Sequence, residues 1–312
     1  MKAIIINGYG DPEELREAEL PVPQPSTGEV LVEIHAASIN PVDWKIRSGR
    51  MSAILSYSFP LVLGLDISGV VKSPGASAHR FKIGDEVLAK INLAQSGGYA
   101  EFTAIDENRL LRKPTGLSFA EAAALPLAGI TAWTALTDHA RLSRGETILI
   151  HGGAGGVGSL AIQFAKALGA VVVTTASEAN TAFVRSLGAD RVINYRKEDF
   201  ASVLGRTVDV VFDMIGGDVL TKSYDVLVPG GRLVTISSAP DASLAAKRGI
   251  TASFFVTPEG GAHLAQIVKL VEEGRVRPIV SATVPLTAEG IQQAHRQSEA
   301  GHVRGKIVIQ IK

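Results

Sequence analysis

The residues with the plainest chemical potential are three glycines at fixed spacing, Gly153-x-Gly155-x-x-Gly158. An apolar, β-branched stretch at 147–150 ends just before them, and a helical pattern at 157–168 follows. That context gives each glycine a purpose. The first permits a tight turn. The second lets backbone approach a pyrophosphate, and the third lets the helix pack closely on the strand. The helix start presents free amides and the positive end of its dipole to phosphate oxygens. The pattern predicts a dinucleotide site built on Gly153, Gly155, Gly156 and Val157. The alternative is a tight strand-to-helix turn with no ligand.

The next strand decides which dinucleotide. An NAD site places an acid at its end to bond the ribose 2′-OH. Here the strand ends Thr174-Thr175-Ala176-Ser177, with no acid. Ser177 can donate to a 2′-phosphate without repelling it. Glu178 argues the other way, unless it is only an acid at a helix start. Arg185 and the run Tyr195-Arg196-Lys197 offer positive charge and a phenol. The expected cofactor is NADPH.

These groups need elements to hold them. Strands at 147–150, 171–175, 192–194, 208–212 and 232–237 alternate with helices at 157–168 and 181–187. Such alternation predicts an α/β domain with a doubly wound parallel sheet. Upstream of Lys113-Pro114 the chain reads as β-rich. Residues 28–36 alternate apolar and polar, and 65–71 and 86–91 look like further strands between Gly- and Pro-bearing turns. Pro21, Pro23 and Pro25 mark an extended connector. Ser118-Phe119-Ala120-Glu121 fits a capping box, and 122–136 reads as one buried helix. A helix at 263–273 and a strand at 306–311 follow. The expected organisation is a β-rich substrate domain of residues 1–118 and 257–312, with a dinucleotide domain of 119–256 between them.

Charge and composition narrow the partners. Thirty-one basic residues balance 31 acidic ones, so no long-range field draws nucleic acid or an anionic membrane. There are no cysteines, which excludes disulfides, a thiolate nucleophile and Cys-ligated zinc. His35, His79, His139, His151, His263, His295 and His302 show no metal-ligand spacing, so no metal is expected. No apolar run reaches the roughly 18 residues of a membrane span. The first residues lack the apolar core of a secretory leader. The expected compartment is the cytoplasm.

Several motifs together resemble the medium-chain dehydrogenase/reductase superfamily, in its zinc-free quinone oxidoreductase (ζ-crystallin-like) branch. They are Ser38-Ile39-Asn40-Pro41-Val42-Asp43, Gly64-Leu65-Asp66-Ile67-Ser68-Gly69, Gly98-Tyr99-Ala100-Glu101, residues 125–132, the glycine turn, Val192-Ile193-Asn194-Tyr195 and Gly305-Lys306-Ile307-Val308. The resemblance implies a GroES-like substrate domain formed by both ends of the sequence, an inserted Rossmann domain, an active site between them, and a homodimer. Zinc-dependent members carry Cys near Asn40, Gly-His-Glu where this chain has Gly64-Leu65-Asp66, and four further Cys. Those ligands are missing here.

Carried over by position, the resemblance assigns Asn40 and Asp43 to the active-site loop. It assigns Thr131 to the nicotinamide ribose or amide, and Tyr195 to the adenosine phosphate. Loops at Ile215-Gly216, Ser237-Ser238 and Phe254-Phe255-Val256 would meet the nicotinamide half, making Ile215, Ser237, Phe255 and Val256 cofactor contacts and adding Asn40 to them. Asn180 stands where some quinone reductases have Lys. The stretch 40–45 is similar to plant-type alkenal/enone reductases, which adds activated C=C bonds to quinones as substrates. Without a metal, a carbonyl must be polarised by hydrogen bonds. The proton would come from solvent, Lys45 or Tyr57, so the catalytic candidates are Asn40, Asp43, Lys45 and Tyr57. Plainer readings stand beside these: Asp43 as a helix-start cap, Lys45 as a surface charge, Trp44 as core or cleft wall. The rival functions are a zinc-free alcohol dehydrogenase and a non-catalytic NADPH-binding protein, either a sensor or a crystallin-like, RNA-binding one.

Overall fold

The computed structural model describes residues 1–95, 97–259 and 261–312. The chain forms two compact units. One comprises 1–127, 259–272 and 278–312; the other comprises 128–258 and 273–277. This division falls later than the expected one at 118/119. The helix Phe119–Ala123 is the reason: Phe119, Ala123 and Ala124 pack with Ala36 and Val308 of the first unit.

The first unit is built on β-structure. Its main sheet runs Val280–Pro285, Lys306–Gln310, Glu29–Ser38, Asp66–Pro74, Glu86–Lys90, Leu110–Arg112, and Phe102–Asp106 also pairs with Glu29–Ser38. All these pairings are antiparallel except Val280–Pro285 with Lys306–Gln310. The alternation read at 28–36 has its usual cause: Val30, Val32 and Ile34 point into the core, and Leu31 and His35 are less buried. A second sheet joins Arg16–Glu19, Lys2–Ile6 and Leu61–Val62.

The helical stretch read as 122–136 is interrupted. Phe119–Ala123 ends, Pro126–Thr134 begins, and a π-helical turn, Ala135–His139, follows. Pro126 explains the break, because proline has no amide to donate and disfavours helix in the residue before it. The capping box is present: Ser118 Oγ accepts from Glu121 N at 3.2 Å, and Glu121 Oε2 accepts from Ser118 N at 3.0 Å.

In the second unit, six parallel strands lie in the order Arg191–Asn194, Val171–Ala176, Thr147–Ile150, Val208–Asp213, Leu227–Thr235, Thr251–Phe254. The central strand is Thr147–Ile150, where the winding reverses direction. Open α/β sheets bind ligands outside the carboxyl ends of the strands at this point. Its core includes Leu149, Val173, Ile193, Val211 and Leu233. Among the described residues, no helix is long and apolar enough to cross a membrane.

Candidate functional site

The glycine turn sits at the carboxyl end of Thr147–Ile150 and opens the helix Gly156–Leu168. Two of its glycines are required by packing. A Cβ on Gly153 would meet Thr174 Oγ1 at 2.0 Å, and one on Gly158 would meet Gly152 O at 2.3 Å. Gly155 differs. Its backbone is extended, at φ −75° and ψ 176°, and a Cβ there would meet only Gly152 O, at 3.5 Å. Nothing inside the fold forbids a side chain at Gly155. The space in front of it is open, and no side chain caps the helix start beside it.

His151 braces this turn from below. Thr175 Oγ1 accepts from Gly152 N at 3.2 Å and donates its own proton to His151 Nδ1, also 3.2 Å away, because Nε2 is the nitrogen that carries hydrogen. His151 Nε2 then donates to Ser223 Oγ at 3.1 Å, whose proton goes to Val219 O. Burial pushes the imidazole down to about 4. The ring is neutral at neutral pH.

The remaining predicted cofactor residues of this unit lie at strand ends, except Thr131. Ser177 follows Val171–Ala176, and its hydroxyl caps nothing. Tyr195 is half exposed after Arg191–Asn194, with the Arg196 guanidinium 5.8 Å from its ring centre. Glu178, the acid that argued for NAD, pairs with Lys197 at 2.6 Å. Ile215 and Val256 are exposed at the ends of Val208–Asp213 and Thr251–Phe254. Ser237 donates to Asp213 Oδ2 at 2.9 Å. Phe255 is turned inward and stacks on His139, ring centres 4.5 Å apart. Thr131 is buried within Pro126–Thr134, and its hydroxyl meets Thr257 Oγ1 at 2.7 Å.

In the first unit, Asn40 and Asp43 meet at the start of the helix Pro41–Arg47. Asp43 Oδ2 accepts from Asn40 N at 2.7 Å and from Tyr99 Oη at 2.9 Å. Since Tyr99 gives its proton to Asp43, the 3.2 Å contact with His295 is a donation from Nε2 to the phenol oxygen. His295 Nδ1 then accepts from Arg47 at 3.1 Å, and Arg47 also binds Glu299 at 2.6 Å. Burial first, and Arg47 second, push His295 down to about 3, which keeps the ring neutral. Asp43 is fully buried, and its Oδ1 has no partner. Desolvation outweighs the two hydrogen bonds and raises Asp43 to about 7.

The Asn40 amide is engaged on both sides. Nδ2 donates to Asp66 Oδ2 at 2.9 Å, and Oδ1 accepts from Lys306 Nζ. Lys306 also donates to Ile39 O at 2.8 Å and lies 3.6 Å from Asp66 Oδ2. Ser38 Oγ donates to the same Asp66 oxygen at 2.9 Å, and Leu127 N donates to Oδ1 at 2.8 Å. Lys45 and Tyr57 stand apart from this network. Lys45 Nζ lies 5.7 Å from the Trp44 ring centre. Tyr57 donates to Leu93 O at 2.6 Å, and burial pushes its phenol up to about 12.

The structure therefore brings Asn40 and Asp43 together as interior groups and leaves Lys45 and Tyr57 partly exposed. Sequence reasoning missed Arg47, Asp66, Tyr99, His295 and Lys306 as one network, and Asp213 as the acceptor of Ser237. Asp66, Tyr99 and Lys306 do lie inside motifs that the resemblance singles out. Asp213 had a local signal, an acid at the end of the buried strand Val208–Asp213.

Comparison with known proteins adds the following. The pattern described as alcohol dehydrogenase GroES-like domain matches residues 26–115, and that of zinc-binding dehydrogenase matches 187–309. An Arabidopsis thaliana NADPH-dependent alkenal/one oxidoreductase, chloroplastic, is 37% identical over 99% of this chain and 79% of its own. The Arabidopsis chloroplast envelope quinone oxidoreductase homolog is 35% identical over 99% of this chain and 98% of its own. A mitochondrial NAD(P)H oxidoreductase of Mus musculus is 33% identical over 100% and 89%. Among solved structures, the quinone oxidoreductase of Coxiella burnetii superposes with TM-score 0.91 at 37% identity, covering 100% of this chain and 99% of that one. The Escherichia coli quinone oxidoreductase complexed with NADPH superposes with TM-score 0.89 at 28% identity, covering both chains fully at 100%. The cytoplasmic expectation is overturned: the relatives named above are chloroplast or mitochondrial proteins. Composition and a short stretch of starting residues carry no such information.

Proposed function

This chain belongs to the quinone oxidoreductase branch of the medium-chain dehydrogenase/reductase superfamily, and on that premise we propose that it is an NADPH-dependent reductase of quinones and α,β-unsaturated carbonyls. The observation that carries the reading is the open space at Gly155 beside an uncapped helix start. A backbone cradle free of side chains, at the positive end of a helix, fits a pyrophosphate. NADPH, when bound, supplies the hydride.

In this reading Gly153, Gly155, Gly156 and Val157 hold the pyrophosphate. Ser177 and Tyr195 take the 2′-phosphate side, where the pairing of Glu178 with Lys197 removes most of the repulsion that Glu178 would exert. Thr131, Ile215, Ser237 and Val256 serve the nicotinamide half, with Phe255 supporting them from beneath. Asn40 and Asp43 are positioning residues, because both are buried and hydrogen-bonded internally. Proton delivery falls to Tyr57 Oη or Lys45 Nζ, which are partly exposed. At about 12, Tyr57 stays protonated through the neutral range, and it can donate to a carbonyl oxygen once that oxygen replaces Leu93 O as its acceptor.

The residues that replace the zinc ligands do not fit that metal. Leu65 offers no donor atom. Asn40 and Asp66 already bind the Lys306 ammonium, and a second cation there would be repelled. Neutral overall charge is compatible with a homodimer, which light scattering measures directly.

The test is an NADPH-oxidation screen across quinones and enones, with NADH in parallel and after exhaustive chelation. Turnover that survives chelation and prefers NADPH is expected. No oxidation with any acceptor, or equal rates with NADH, would sink the reading.

A further inference from the structure

Asp213 is fully buried at the carboxyl end of Val208–Asp213 and gathers four donors, from the loop after its own strand and from the end of the neighbouring strand and its loop. From the loop after its own strand, Ile215 N donates to Oδ1 at 3.1 Å, and Gly216 N lies 3.1 Å from both oxygens. From the neighbouring strand and its loop, Thr235 Oγ1 and Ser237 Oγ donate to Oδ2 at 3.0 and 2.9 Å. Ser237 N closes the same knot on Thr235 Oγ1 at 3.1 Å. A buried carboxylate that accepts several hydrogen bonds, two of them from backbone, has a fixed orientation and fixes its donors in turn.

Two further contacts show where the knot leads. Gly216 has φ +80°, and a Cβ there would meet Ser237 Oγ at 2.9 Å, so only glycine lets the two loops touch. On the other side, a Cβ on Gly152 would lie 3.3 Å from Ile215 Cδ1. The loop that Asp213 holds thus lays an exposed isoleucine against the beginning of the glycine turn.

We propose that Asp213 is the positioning residue of the cofactor cradle: it ties the loops after two adjacent strands into one rigid wall, formed by Ile215 and Ser237, for the nicotinamide half of the dinucleotide. This rests on the NADPH reading above. Asp213 touches no reacting atom. It acts through the residues it orients, and preorganised walls of this kind lower the ordering that binding would otherwise demand.

The adenine half of the ligand provides the control. Binding of NADPH and of 2′,5′-ADP, which has no nicotinamide, is measured by calorimetry on the wild type, Asp213→Asn and Ser237→Ala. Asp213→Asn should weaken NADPH about tenfold and leave 2′,5′-ADP within about twofold, the scale of a lost charge-assisted hydrogen bond. Ser237→Ala should shift the same ratio by about threefold, because one hydroxyl of the wall is lost and the other donors to Asp213 remain, and it carries the test alone if Asp213→Asn does not fold. Equal weakening of both ligands, or unchanged NADPH affinity, would overturn the proposal. If the wild type binds neither ligand, the cofactor reading has failed and takes the proposal with it.

Discussion

Asp43 in the first unit and Asp213 in the second are both fully shielded from solvent, yet protein replaces their lost water to different degrees. Asp213 receives four donors spread over both oxygens. Asp43 receives two donors on one oxygen and none on the other. The consequence for Asp43 is a carboxyl raised to about 7, close to half-protonated in neutral solution. A carboxylate with donors on both oxygens can tie two loops together. A half-satisfied one holds its neighbours in a manner that depends on pH.

The largest expected effect tests the anchor. Asp213→Ala leaves Ile215 N, Gly216 N, Thr235 and Ser237 without their shared acceptor and should lower stability by about 3 kcal/mol; urea unfolding measures this. A loss below about 1 kcal/mol would mean that those donors find substitutes.

Next comes a pair within the cradle. Gly153→Ala drives a methyl into Thr174 and should cost about 2 kcal/mol of stability. Gly155→Ala meets nothing comparable and should leave stability within about 0.5 kcal/mol. It should nonetheless raise the KM for NADPH about tenfold, one pyrophosphate hydrogen bond's worth of affinity. Equal thermal stability of the two variants would remove the distinction between packing and ligand glycines.

The titrating carboxylate is tested by pH. Folding raises Asp43 from its ordinary 3.8, so the folded state holds the extra proton and its stabilisation disappears as pH climbs through about 7. Relative to Asp43→Asn, the wild type should lose on the order of 1 kcal/mol per pH unit between about pH 4 and 7. His151 and His295 act in the opposite sense. Their lowered values mean that stability falls as pH drops below about 6.5. They are common to both proteins and cancel in the comparison. Parallel stability curves would show that Asp43 does not titrate in this range.

A third, exposed carboxylate gives the smallest effect. Glu178→Gln frees Lys197 and should improve NADPH affinity by about twofold, since exposed pairs are worth well under 1 kcal/mol. Weakened NADPH binding would exclude Lys197 from the 2′-phosphate side.

Local sequence signals were legible in proportion to their range. The glycine turn, the Ser118–Glu121 box and the Asp43 cap each span a few residues, so side-chain chemistry alone reveals them. Pro126 was visible too, but its power to split the 122–136 helix was outweighed by the apolar run around it. The Asp43 network was not legible. Arg47 and His295 meet across 248 residues of sequence, and Tyr99 reaches Asp43 across 56. No periodicity encodes such meetings; they follow from the pairing of distant strands. Asn40 shows the same limit from the other side, since the resemblance assigned it to the active-site loop, whereas Lys306 and Asp66 engage its amide inside the fold.

The pairing of Lys306–Gln310 with Glu29–Ser38 also orders events in time. The sheet of the first unit needs a strand synthesised among the last residues of the sequence, whereas the main block of the second unit, 128–258, is contiguous. On a ribosome the second unit can bury Leu149, Val173 and Val211 while the Ala36–Ser38 end of Glu29–Ser38 still awaits its partner, the other end being paired with Phe102–Asp106. Until then an apolar strand edge stands exposed, a hazard for association with other chains. Closing the loop between these strands is a long-range step, of the kind that slows folding.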